Sequence, residues 1–164
     1  MKRFTIAAFS LAVVICFAAT AFADSPHFLF VTPTIDSSGN LNVAFKEAGL
    51  GTGTTSVEIT ASVQTATAVY QCFNNGGNHP KAGNKETVSS SLQASGTFPV
   101  SHGQTTASLT LNPPSPGNFT CPSGQTLFLQ DITYSGISVS DAFGTTLAGT
   151  PTEVSAKGIH IQVQ

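Results

Sequence analysis

Tryptophan is absent from the 164 residues, methionine occurs once, and the only arginine is Arg3. Charged residues make up 9 % of the chain, six basic against eight acidic. Nucleic-acid binding needs clustered Lys and Arg to neutralise phosphates, and no such cluster exists. Coiled coils and long solvated helices draw on Ala, Glu, Lys, Leu and Arg, and this chain is poor in the charged members of that set. There is no H-E-x-x-H, C-x-x-C, G-x-S-x-G or P-loop pattern. The run Gly49-x-Gly51-x-Gly53 lacks the third spacing of a dinucleotide fingerprint and no helix follows it, so it reads as a flexible loop. No cofactor is expected.

What is present begins with an export signal. Met1-Lys2-Arg3 forms a positive n-region, Phe4 to Ala19 an apolar h-region, and Ala21-Phe22-Ala23 an A-x-A cleavage site before the polar Asp24-Ser25-Pro26. This order predicts a secreted protein with residues 1–23 removed. A retained anchor would need about 20 apolar residues, which the h-region does not supply. Cys16 would mark a lipoprotein only with a small residue before it, and Ile15 stands there, so Cys16 is expected to leave with the signal. No second apolar segment of spanning length follows. The mature chain, residues 24–164, then has four lysines against eight acids, a net charge of −4, and Ser plus Thr at 37 of 141 positions.

Two cysteines remain, Cys72 and Cys121. In an exported chain they are expected to pair. Neither has another Cys or a His within four residues, which argues against a metal site.

The mature sequence alternates apolar and polar residues, broken by turn residues roughly every 8–12 positions, the pattern of a β-sandwich or a closed barrel. Phe28-Leu29-Phe30-Val31 is apolar at every position and predicts a strand buried on both faces. Ser37-Ser38-Gly39-Asn40 is a turn. Leu41, Val43 and Phe45 line the next strand. Val57, Ile59, Ala61 and Val63 are followed by Ala66, Ala68, Tyr70 and Cys72, so the apolar parity changes near Gln64-Thr65. A bulge or a turn is required there, and a tight turn or bend between two strands is the favoured reading. Val88, Leu92, Ala94 and Phe98 resume the pattern after a polar loop, and Ser101-His102-Gly103-Gln104 predicts a hairpin turn. Asn112 to Asn118 carries three prolines and reads as a stiff linker. Strands follow to Tyr134, at Ile137 and Val139, and at Ile159, Ile161 and Val163. The count is about nine strands. We expect one all-β domain over residues 24–164, a two-sheet sandwich of immunoglobulin-like architecture. A bond from Cys72 on one sheet to the region before Leu127 on the other would then staple the sheets together.

Catalytic groups are scattered. His27, His79, His102 and His160 show no metal-ligand spacing. Asp131 and Asp141 would form a dyad only if their strands paired side by side. Asp36-Ser-Ser-Gly-Asn40 faintly resembles a calcium-binding turn. The best functional candidate is the loop over residues 74–85, with Asn74, Asn75, Asn78, His79, Lys81 and Asn84. Amide side chains both donate and accept hydrogen bonds, which suits sugar hydroxyls or polar peptides. Asn118-Phe119-Thr120 is a glycosylation sequon.

The segments Tyr70-Gln71-Cys72-Phe73-Asn74-Asn75-Gly76-Gly77-Asn78 and Thr120-Cys121-Pro122-Ser123-Gly124-Gln125-Thr126-Leu127 resemble a group of small exported bacterial proteins of unassigned function. That group pairs a cysteine and an Asn/Gly-rich loop with a later Cys-Pro-x-Gly-Gln. The resemblance covers roughly residues 55–140. It implies secretion and a β-rich fold, and carries over no catalytic residue.

The expected function is therefore a non-catalytic extracellular interaction or surface-associated module. Its ligand would be a polysaccharide or a protein, with no nucleic acid and no membrane span once the signal is removed. The competing reading is a small secreted polysaccharide-active hydrolase, which should gather Asp131, Asp141, Glu58 or Glu86 with a histidine in one pocket. A third is a self-assembling surface protein joined through exposed sheet edges.

Overall fold

Eight antiparallel strands account for the regular structure of the computed structural model, which describes residues 25–74 and 84–163. They are β1 (His27–Ile35), β2 (Leu41–Ala48), β3 (Ser56–Asn74), β4 (Lys85–Pro99), β5 (Gln104–Leu111), β6 (Gln125–Asp141), β7 (Thr146–Ala148) and β8 (Glu153–Gln162). One sheet has the order β1-β2-β5. The other runs β4-β3-β6, with β7 and β8 both pairing to the far side of β6. β7 takes the Ser138–Ser140 stretch of β6 and β8 takes Phe128–Ser135. There is no helix among the described residues, and none long and apolar enough to cross a membrane.

Alternation puts one row of each strand into a shared core. Leu41, Val43 and Phe45 of β2 meet Ile59, Ala61, Val63, Ala66 and Ala68 of β3 and Ile132, Tyr134, Ile137 and Val139 of β6. Ser and Thr tile the opposite face of the second sheet. Thr60 pairs with Ser95 at 2.7 Å and Thr67 with Ser89 at 2.9 Å, hydroxyl to hydroxyl. Two tyrosines reach out of the core to backbone carbonyls, Tyr70 to Pro114 and Tyr134 to Gly39 at 2.8 Å. Each hydroxyl thereby finds the partner a buried polar group requires.

Several expectations need correction. The parity change at Gln64-Thr65 is not a turn: β3 continues through it as one strand of 19 residues. A bulge against β4 takes the extra residue, since Val63 faces Leu92 while Ala66 faces Ser90. β6 shifts parity at the same level, from Tyr134 to Ile137, through Gly136 at φ +68°. A Cβ there would meet the Gln64 side chain at 2.7 Å, so the two strands bend together. β6 likewise runs unbroken from Gln125 to Asp141, joining the segments expected to Tyr134 and at Ile137 and Val139, so two mergers and the unexpected β7 bring the count from about nine to eight.

β1 is not buried on both faces. Among the described residues it is an edge strand paired only to β2, and its register slips between Phe28 and Phe30. Phe28 and Val31 enter the core while Leu29 and Phe30 stay 52 % and 40 % exposed. An edge strand of a two-layer sandwich has only one core to face, so an all-apolar run cannot bury both its rows.

The disulfide forms as expected between Cys72 and Cys121, but it is not a staple between sheets. Cys72 lies opposite Leu127 within the second sheet. Cys121 belongs to the crossover that leaves β5 in the first sheet and enters β6 in the second. The bond pins that crossover to the end of β3.

Candidate functional site

β3, β6 and β8 end side by side, at the end of the second sheet where β3 leads into the Asn-rich loop. There the outward row carries Phe73 from β3, Phe128 from β6 and His160 from β8. Phe128 and His160 stack at 4.0 Å between ring centroids with an interplanar angle of 17°. Phe73 stands edge-on to both, at 5.4 Å from Phe128 and 4.5 Å from His160. Edge-to-face and offset-stacked rings at such separations attract through their quadrupoles.

Two bulges aim these side chains. β6 carries Gln130 as an extra residue between Leu129 and Asp131, opposite Tyr70 and Val69. β8 answers with its own irregularity: Leu129 faces Ile161 and Asp131 faces Lys157, leaving Gly158, Ile159 and His160 between them. His160 adopts φ +54°, a left-handed conformation that costs a non-glycine residue about 1 kcal/mol or more. Gln130 Nε2 contacts its Nδ1 at 3.0 Å. Asp131 accepts the Gly158 amide at 2.9 Å and holds the bulge in shape. Bulges that re-aim a side chain in this way recur next to functional sites.

The amide in contact with the rings is that of Gln130; further amides lie at the same end of the sheet, on the inward row. Asn74 is exposed at the end of β3, beside Phe73. Asn84 donates from Nδ2 to Gln125 Oε1 at 2.8 Å, and its carbonyl accepts the Cys72 amide at 3.0 Å. Of the predicted loop residues, Asn74 and Asn84 therefore fall at the mouth of β3 and β4, at the same end of the sheet as the cluster but on the parity opposite Phe73. Asn75, Asn78, His79 and Lys81 lie outside the described residues, as does the predicted signal, residues 1–23. Sequence reasoning missed Phe128, Gln130 and His160. No local pattern links Phe73, Phe128 and His160, because only strand pairing brings them together.

The carboxylates do not assemble as an Asp131–Asp141 dyad. Both lie on β6 ten residues apart, about 33 Å along the strand. Glu86 sits opposite Tyr70, on the inward parity, whereas Asp131 sits opposite Val69 on the outward one. Asp36 is consumed by its own turn: it accepts Ser38 N at 2.8 Å, Asn40 N at 2.9 Å and Asn40 Nδ2 at 3.1 Å. Desolvation pulls its pKa up, but these hydrogen bonds outweigh that and hold it below the ordinary value. No group of three His, Cys, Asp or Glu able to hold a metal occurs among the described residues. His27 contacts the Ser25 carbonyl at 2.8 Å. His102 occupies the hairpin turn at φ +52°.

A different carboxyl pair does form. Glu47 follows Val43 and Phe45 in period two, and so points into the core with no exposed surface. It faces Asp141, which ends β6 in the other sheet. Asp141 Oδ1 accepts Phe143 N at 2.9 Å and Thr145 N at 2.7 Å, capping the turn that follows β6. Its Oδ2 and both Glu47 oxygens have no donor from any other group. Desolvation, then the hydrogen bond and the charge of Asp141, push Glu47 up to about 8. Glu47 is therefore protonated at neutral pH, and its O–H donates to the Asp141 carboxylate. This carboxyl–carboxylate contact bridges the two sheets.

Compared with protein-family models, curated proteins and solved structures, the chain matches none.

Proposed function

We propose that this protein is a secreted, non-catalytic extracellular interaction module of immunoglobulin-like architecture, surface-associated in its setting, that binds polysaccharide. The observation that carries this reading is the Phe73–Phe128–His160 cluster with the Gln130 amide against His160. Aromatic rings offer a surface for the apolar face of a sugar ring, and amides serve its hydroxyls. The disulfide pins the crossover behind this end of β3, so the rings sit on rigid strands. The disulfide and the n-region, h-region and A-x-A order support export. So does the similarity of residues 70–78 and 120–127 to the exported bacterial group.

The strand order supports the immunoglobulin-like reading. β1, β2 and β5 take the places of strands A, B and E, and β4, β3, β6 and β8 those of C′, C, F and G. The disulfide and the missing core tryptophan depart from antibody domains, so the likeness is one of topology.

The hydrolase alternative finds one pair of carboxyls brought together, Glu47 and Asp141. They are sealed between the sheets, where no polysaccharide reaches them.

The test is a binding screen of the exported protein against insoluble polysaccharides and cell-wall material. It is repeated with Phe128→Ala, with His160→Ala, and with the loop variant in which Asn74, Asn75, Asn78 and His79 become Ala. Saturable binding that weakens about tenfold in the Phe128 and His160 variants is expected. Circular dichroism reports whether each variant folds. Binding that survives both ring variants and falls only in the loop variant moves the site into the loop. Release of reducing sugar that disappears in Glu47→Gln would overturn the non-catalytic reading.

A further inference from the structure

One long side of the sandwich is stitched and the other is open. On the stitched side Thr150 N donates to the Val31 carbonyl at 2.9 Å, and Thr145 Oγ1 to the Pro26 carbonyl at 3.2 Å. Backbone and side chain thus tie β1 to the segments flanking β7. On the open side β4 ends one sheet and β5 ends the other. They diverge from the hairpin at Ser101–Gln104 and leave a groove of about 530 Å³. Its apolar lining comes from Val88, Leu92 and Ala94 of β4 and from Leu111, Pro113 and Pro114 across it.

β4 is 15 residues long, about 50 Å, and among the described residues pairs only with β3. Its other edge presents a free row of N–H and C=O groups. Natural sheets blunt such edges with short strands, prolines, inward charges or a covering loop. Among the described residues β4 has none of these along its middle. Its two charges, Lys85 and Glu86, stand at one end and its proline, Pro99, at the other. The twelve residues between carry neither.

We propose that this edge pairs antiparallel with the β4 of a second copy, about a two-fold axis through Gln93. The second sheet then runs continuously across the dimer. The self-complementarity of β4 argues for a second copy as the occupant. With Gln93 on the axis, residues whose numbers sum to 186 face each other. On the inward row Val88 then meets Phe98 and Leu92 meets Ala94. On the outward row Ser89 meets Thr97 and Ser91 meets Ser95, extending the hydroxyl ladder already formed by Thr60–Ser95 and Thr67–Ser89. Lys85 and Glu86 fall beyond the end of the partner strand, so no like charges oppose. Moving the axis to Leu92 sets Glu86 against Phe98, and moving it to Ala94 sets Leu92 against Gly96. An axis between residues would place inward side chains against outward ones. The pairing also brings Phe98 of the second copy over Val88, at the open end of the groove. Such an interface is isologous and closes on itself as a dimer. It rests on β4 alone, and stands or falls separately from the ring cluster.

Gln93 is exposed on the outward row, so changing it leaves the monomer fold intact. Sedimentation equilibrium of the exported protein, Gln93→Lys, Gln93→Glu and an equimolar mixture of the two variants tests the axis. The unaltered protein should show a concentration-dependent dimer. Each variant sets like charges directly opposite each other and should weaken the dimer about fivefold at low salt. The mixture should recover it as a heterodimer. A monomer at every concentration up to about 1 mM, where millimolar contacts would show, overturns the proposal. So does a dimer that neither variant weakens, since that dimer uses another face.

Discussion

Single residues decide more here than their number suggests, because so few are charged. Glu47 is legible in the sequence as the next inward position after Val43 and Phe45, yet its partner is not. Asp141 lies 94 positions later and meets Glu47 only when the sheets stack. The consequence is a pH dependence of defined sign. Unfolded Glu47 loses its proton near its ordinary value of 4.5, and folded Glu47 near 8. Between those values the folded state holds more proton than the unfolded one, so stability falls as the pH rises. One unit of pKa corresponds to about 1.4 kcal/mol, so the loss across the window amounts to several kcal/mol. Thermal melts at pH 5 and pH 8 should show a clear drop in Tm for the unaltered protein. Glu47→Gln keeps an N–H to donate to Asp141 and cannot ionise, so its Tm should change much less between the two pH values. Parallel curves would mean the pair does not share a proton.

At the scale of elements, the sequence pattern located every strand except the three-residue β7. Alternation reports which residues share a face, but not whether the chain turns back. A parity change reads identically for a bulge in one strand and a bend between two, which is why β3 exceeded its expected length. Gly136, matched to Gln64 across the β3–β6 pair, was the legible sign of a shared kink. β1 was misread because composition alone cannot distinguish an apolar edge strand from a buried central one. The disulfide acts at this scale too. It closes a loop of 49 residues, and the chain-entropy model gives it about 4 kcal/mol. Replacing Cys72 and Cys121 together by Ser should lower the denaturant midpoint accordingly. Because the bond pins the crossover beside Phe73, the same variant should weaken polysaccharide binding even where it stays folded. Unchanged affinity in that variant would separate the ring cluster from the bond.

For the whole molecule, the asymmetry between a stitched and an open side is the main consequence of topology. β3 and β6 are paired along both edges and supply most of the core. Their amides should therefore exchange with solvent most slowly, by global unfolding alone. The outer-edge amides of β4 have no strand partner among the described residues and should exchange fast at micromolar protein. Under the proposed pairing they slow as concentration rises. Hydrogen exchange followed by mass spectrometry at two concentrations reads both effects. Slow exchange of β4 that does not depend on concentration would contradict the open edge.

The sequence by itself determined the class of fold, the pairing of Cys72 with Cys121, and the inward row of most strands. Each of these follows from local periodicity or from elimination among very few cysteines. The tertiary structure alone decided what lies beside what. It placed the disulfide between the end of β3 and the crossover from β5 to β6, separated Asp131 from Asp141 along one strand, and joined Glu47 to Asp141. It also gathered Phe73, Phe128 and His160 into one cluster and left β4 uncovered. These are contacts between residues far apart in the chain, set by strand order and register, and a period of two carries no information about which strands become neighbours.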